Sequence, residues 1–223
     1  MYTLKEAYAV VGKPTTGNTK MTDTLCFNTT PEKCATGRQL RKKKGTPCFY
    51  CYSWRLINFR KNVGESYRRN YELLLSALNE YGVNWVAKIM EFIITKKKRK
   101  RVRIKDGGDV VSMEEFYMWL MVAIACKNNI FWMPTKEYKW VREFFRRAGH
   151  IPKNIIFRVS MPMVNQPPSG EFKYTSVVYS LAKYDAVKET RKLKKCPAKY
   201  QGNQCLDCPH CYDPKVETVV YSL

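Results

Sequence analysis

Nine cysteines are the residues best equipped for chemistry in this 223-residue chain, and seven of them fall into two groups. Near the C-terminus Cys196, Cys205, Cys208 and Cys211 are spaced C-x8-C-x2-C-x2-C, four thiols within sixteen residues. Zinc sites usually draw their tetrahedral ligands from two separated pairs, whereas a C-x2-C-x2-C run is similar to the way ferredoxins wrap three corners of a cubane. The spacing favours a [4Fe-4S] cluster with Cys196 at the fourth corner; an all-cysteine zinc site is the alternative. His210, inside the run, could replace a thiolate or stand behind one.

The second group, Cys34, Cys48 and Cys51, is spaced C-x13-C-x2-C. Three ligands suggest a centre with one open coordination position, the device by which catalytic metals keep room for substrate. Closure by Cys26 or by a tail cysteine would instead make the centre structural or electron-transferring. One cluster or two are therefore expected. Cys126 lies on the apolar face of a helical stretch and reads as core.

Asp106-Gly107-Gly108-Asp109 could form a ligand-facing strand end, its glycines permitting close backbone approach and its carboxylates holding a polar group; it reads equally well as a plain strand-to-helix turn. His150 and His210 are the only histidines, and no Gly-x-Ser-x-Gly is present, which argues against a nucleophilic triad. Phosphate-binding Gly-x-x-x-x-Gly-Lys and dinucleotide Gly-x-Gly-x-x-Gly loops are absent too.

Forty Lys and Arg against nineteen Asp and Glu give a net charge of +21, a field that attracts polyanions. Lys96, Lys97, Lys98, Arg99, Lys100 and Arg101 form the densest run and are the expected nucleic-acid contact, although the first of them could simply complement a helix C-terminus. Arg41 to Lys44 and Lys192 to Lys195 add to the positive field. Phe49, Tyr50, Tyr52 and Trp54 could stack on bases or shield a cluster from water. The N-terminus has no secretory pattern and no stretch is apolar enough to span a membrane, so a reducing, cytoplasmic location (host cytoplasm if viral) is expected.

The elements that must position these residues follow from periodicity. Residues 1–52 read as an irregular, cysteine-containing lead-in, 53–182 as a β/α core, and 183–223 as a cysteine-rich metal-binding tail. Apolar residues recur at helical spacing from Ser53 to Tyr81, with a break near Val63-Gly64, and again from Trp85 towards Lys96 beyond a stop at Gly82. Strands are expected at 102–105, 130–133, 155–159, 176–181 and 218–221, with helices after Ser112, which forms a capping box with Glu115, and from Tyr138 to Ala148. Alternating strand and helix predict an α/β fold, a parallel sheet or incomplete β/α barrel, with functional residues at the strand ends Asp106–Asp109, Thr135-Lys136 and Ser160.

Thr16-Gly17-Asn18-Thr19-Lys20, Cys34, Cys48-x2-Cys51-Tyr52, Arg103 to Asp109 and the Cys-Pro tail together resemble the bacteriophage family named after mycobacteriophage gene product eighty-eight. The order of all four elements agrees over most of the chain. The resemblance implies a viral protein and a ligand-binding role for Asn18 and Lys20; a host protein is the expected partner besides the nucleic acid that the basic surface suggests. It extends to radical S-adenosylmethionine enzymes, which hold a [4Fe-4S] cluster on three cysteines over a partial β/α barrel; Cys34, Cys48 and Cys51 would correspond, and S-adenosylmethionine would be the added ligand. That superfamily's usual spacing is C-x3-C-x2-C, and here only Cys48-x2-Cys51-Tyr52 fits it.

Overall fold

The computed structural model describes residues 2–17, 20–21, 23–189 and 192–223. Its centre is one seven-stranded, all-parallel sheet in the order β1-β2-β3-β4-β5-β7-β6, open between its two edges. The strands are β1 (Thr24–Phe27), β2 (Arg101–Ile104), β3 (Ile130–Thr135), β4 (Ile155–Ser160), β5 (Thr175–Tyr179), β6 (Leu193–Lys195) and β7 (Thr218–Ser222). The α/β expectation is met, as an unclosed β/α barrel.

One face of the sheet is apolar and carries the helices. Leu25, Phe27, Val102, Ile104, Phe131, Met133, Phe157, Val159, Val177 and Val220 alternate along their strands into one core with α1 (Leu4–Val11), α4 (Lys61–Lys97), α5 (Met113–Ala125) and α6 (Tyr138–Arg147). Burying such an alternating face is the main driving term, at roughly 25 cal/mol per Å² of apolar surface. Cys126 caps α5 within this core, as expected.

The other face is polar at many positions. Cys26, Arg103, Trp132, Arg158, Ser160, Ser176 and Tyr221 come from strand positions that alternate with the apolar set. They stand outside the core that the helices share. Instead the β6-to-β7 connection, residues 196–217, lies over this concave side, and Tyr212 with Cys205 and Cys211 packs on Met21, Cys26 and Trp132. Arg158, fully buried, fastens it: Nη1 donates to the carbonyls of Thr175 (3.0 Å) and Glu217 (2.9 Å), and Nη2 to those of Val216 (3.0 Å) and His210 (3.3 Å). A guanidinium spreads its donors over several carbonyls in a way no other side chain can.

Several elements differ from the sequence reading. The lead-in is not irregular: α1 is opened by a Thr3–Glu6 capping box, β1 is the first edge strand, and α2 (Ala35–Leu40) follows a short 3₁₀ turn. Helix α3 (Tyr52–Phe59) ends at Arg60, whose φ of −108° and ψ of 86° break the chain, so the discontinuity falls before Val63-Gly64. Gly64 is helical and buried because a Cβ there would stand 3.0 Å from the Ile57 carbonyl; it lets α3 and α4 pack closely. Gly82, at φ +75°, kinks α4 where a stop was expected. The capping box at Ser112 does not form, because Glu115 turns inward to Lys105 (2.8 Å), Trp119 Nε1 (3.0 Å) and the Val111 backbone N–H (2.7 Å).

Candidate metal centre and its cavity

The C-terminal ends of the strands surround a cavity of about 400 Å³. Cys34, Cys48 and Cys51 line it together with Asp106, Gly108, Asp109, Thr135, Lys136 and Ser160, so the strand-end residues expected from the topology do meet in one place. Lys20 lines it as well, whereas Asn18 lies outside the described residues. Gly107 does not face the cavity: a Cβ there would meet the Tyr67 ring at 2.5 Å and Ser53 Oγ at 2.6 Å. Gly108, at φ +82°, would press a Cβ to 2.4 Å from the Thr29 carbonyl oxygen. Both glycines therefore serve the packing of the β2 end against its neighbours.

The three thiols are placed by local structure. Cys34 is the N-cap of α2 and Cys51 the N-cap of α3, where Sγ accepts from the Trp54 backbone N–H at 3.4 Å. Helix N-termini favour anionic sulfur. Between them the Thr46-Pro47 turn is locked by the buried Thr46 hydroxyl, 2.7 Å from the Leu40 carbonyl and 2.9 Å from that of Lys43, and the Cys51 N–H donates to the Cys48 carbonyl at 3.1 Å. The Cys34 and Cys48 sulfurs lie 3.7 and 3.9 Å from the point where a Gly37 Cβ would stand, so the two converge beside Gly37, whose Cβ would meet that of Cys34 at 2.9 Å. Burial pushes the Cys34 thiol well above the ordinary range, with Asp109 adding to it, and burial likewise raises Cys48.

A polar network unforeseen in the sequence ties this loop to the sheet. Thr36 N–H and Oγ donate to Glu137 at 3.0 and 2.7 Å, Glu137 N–H donates to Thr135 Oγ at 3.0 Å, and Thr135 Oγ donates to Asp109 at 2.7 Å. Asp109 also accepts from the backbone N–H groups of Lys136 (2.9 Å) and Val110 (2.8 Å). Full burial, and then the neighbouring Glu137 carboxylate, push its pKa up to about 6. On the opposite wall, Asp106 bridges Arg103 Nη1 (2.5 Å) and the Tyr52 hydroxyl (2.6 Å), while Asn28 Oδ1 receives the N–H groups of Asp106 and Gly107 at 2.6 and 3.0 Å. The Arg103 guanidinium lies over the Trp132 ring, 4.5 Å from its centroid.

The tail cysteines form a separate site. Cys196, Cys205, Cys208 and Cys211 ring a cavity of about 30 Å³ on the concave side of the sheet, together with His210, Arg101, Tyr212 and Trp132. Burial raises the Cys205 and Cys208 thiols and pushes Cys211 to about 11. His210 Nδ1 is buried without a hydrogen-bond partner among the described residues, a further donor beside the four sulfurs. Trp132 walls both cavities. Among the described residues, no three His, Cys, Asp or Glu side chains already close on a single ion; the sulfurs line cavities instead.

Lys96 to Arg101 lie at the other end of the sheet, where α4 finishes and β2 begins. Lys96 and Lys97 sit in the last turn of α4, over the Phe92 and Tyr8 rings, and Arg101 pairs with Asp23 at 3.7 Å. That run is at the opposite end of the strands from the thiol-lined cavity. Among the described residues, no helix is long and apolar enough to cross a membrane.

An open parallel β/α barrel with a thiol-lined cavity at its strand C-termini and a cysteine-ringed plug on its concave face defines the class of protein. The family model described as Gene product 88 matches residues 10–214, and the chain belongs to that bacteriophage family. No curated protein and no solved structure matched.

Proposed function

We propose that this chain is an iron–sulfur protein whose Cys34, Cys48 and Cys51 hold a [4Fe-4S] cluster at the mouth of the barrel cavity. The observation that carries the reading is the convergence of three thiols from two helix N-termini and one locked turn on a cavity bordered by strand ends. Three sulfurs spread along a cavity wall suit a polynuclear centre better than a single ion. A cluster on three thiolates keeps one iron open to an added ligand, and S-adenosylmethionine is the ligand that the resemblance nominates.

The chain's own residues would hold and orient that ligand. Asp106, paired with Arg103, and the buried Asp109 offer acceptors to an ammonium or hydroxyl group, and Lys20 and Lys136 balance a carboxylate. Tyr50 and Tyr52 line the same cavity and add ring surface to its wall.

Metal analysis after anaerobic purification tests the reading. Iron and labile sulfide that disappear in Cys48→Ala support it; a colourless protein holding zinc alone overturns it. Release of 5′-deoxyadenosine from S-adenosylmethionine on reduction would add the enzymatic half.

A second reading concerns the tail alone. Its cavity of about 30 Å³ has room for about two waters, closer to one ion than to a cubane. Four thiolates there would then bind zinc, and the centre would fix the plug in place. A zinc stoichiometry of one beside iron, lost in Cys208→Ala, favours that arrangement.

A further inference from the structure

A second run of positive charge without acidic partners, besides Lys96 to Lys100, lies on the segment that carries the cavity's first thiol. Arg38, Lys42, Lys43 and Lys44 are all exposed, and none has an acidic partner among the described residues. Their neighbours Gly37 and Arg41 line the cavity, so these cations stand on its rim. Arg41 itself is committed to the fold, stacked 3.7 Å over Trp54 and donating to the Pro31 carbonyl at 3.4 Å.

Beside the cations stand two exposed aromatics. Phe49 and Tyr50 pack edge to face, with centroids 5.0 Å apart; Tyr50 is 54% exposed and also lines the cavity. Leaving aromatic area in water is unfavourable unless something covers it. Unpaired cations tracking a backbone, with aromatic faces presented next to them, are the features that hold single-stranded nucleic acid. An acidic peptide would use the cations but gain little from the ring faces.

We propose that the cavity mouth binds single-stranded nucleic acid, with phosphates on Arg38, Lys42, Lys43 and Lys44 and a base stacked on Tyr50 at the cavity entrance. The substrate of the site would then be a nucleotide within a strand. Its role as substrate rests on the iron–sulfur reading above; the binding does not.

Fluorescence anisotropy with a labelled oligothymidylate of about 20 nucleotides tests it, because that length exceeds a single site. Changing Arg38, Lys42, Lys43 and Lys44 together to Gln should weaken binding at least about tenfold and flatten the salt dependence between about 50 and 200 mM. Tyr50→Ala should weaken the single strand about fivefold or more and leave a duplex unaffected. Gln at 96–100 should cost less than about threefold, and Lys or Arg exchanges at the rim should restore binding. Oligothymidylate should also protect Cys48 from iodoacetamide in metal-stripped protein. Loss of binding only when 96–100 is neutralised, equal displacement by polyglutamate, or tight duplex binding independent of Tyr50 would each overturn the proposal. Metal content is read on the same samples: iron with no strand binding rejects this inference alone, and strand binding without iron rejects only the cluster.

Discussion

The Tyr221 hydroxyl stands 3.3 Å from Cys211 Sγ, while the same tyrosine lines the cavity that contains Cys34, Cys48 and Cys51. One side chain from the last strand thus touches both cysteine sites. Tyr221→Phe removes the hydrogen bond and keeps the ring, so the fold should lose only about 0.5–1.5 kcal/mol. The tail metal should be lost faster to a competing chelator, with metal content unchanged before the challenge. An identical release rate would mean that this hydroxyl does not influence the centre.

The Thr36–Glu137 pair should decide whether the loop carrying Cys34 is held in place. Glu137→Gln keeps the shape but cannot accept both Thr36 hydrogen bonds equally, at a cost of about 1–3 kcal/mol in that buried network. Metal at the N-terminal site should fall while tail metal is retained. Parallel loss at both sites would point to general unfolding.

Asp109 sets an expected pH dependence. Its folded pKa of about 6 lies above the ordinary 3.8, so between those values the native state holds a proton that the unfolded chain has released. Stability should therefore decline as pH rises through this window, by about 3 kcal/mol for a shift of that size, and level off above it. In Asp109→Asn the slope should vanish. Urea unfolding of the metal-stripped protein at pH 4 to 7 reads this directly, and a slope that survives the substitution would assign it to another group.

Lys105 and Glu115 are both fully buried and 2.8 Å apart, beneath the sheet's helical face. Lys105 also donates to Thr29 Oγ at 3.0 Å, which ties β2 to the end of β1. Lys105→Met leaves an unpaired buried carboxylate and should cost about 3–5 kcal/mol. Pairing it with Glu115→Gln should cost less than the sum of the two single changes, since the uncompensated charge is gone. Additive losses in denaturant unfolding would show that the two do not act as a pair.

Much of the fold was legible because its strands are apolar runs separated by amphipathic helices: five of the seven strands sit within a residue or two of where Val102, Ile130, Ile155, Ser176 and Thr218 suggested. Two were invisible for physical reasons. β1 is only Thr24–Phe27 and buried on both faces, so it shows no alternation, and β6 is a three-residue edge rich in lysine. The strand-end rule anticipated Asp106, Asp109, Thr135, Lys136 and Ser160 around one cavity. Glu137 and Thr36 escaped notice because their partnership spans 101 residues. The inward turn of Glu115 was hidden by a local capping pattern that its buried partner Lys105, on the preceding strand end, overrides. That the tail fills the concave side of the barrel depends on Arg158, an arginine in an otherwise apolar strand, which was the one available signal.

The most direct test of the central claim is iron and labile-sulfide content, measured after anaerobic purification, in the unaltered chain and in a variant with Cys34, Cys48 and Cys51 all changed to Ala. The account predicts about four irons at the N-terminal site of the unaltered chain, absent from a variant that stays folded and keeps its tail metal. Iron content unchanged by the triple substitution, or zinc as the only metal in both proteins, would contradict it.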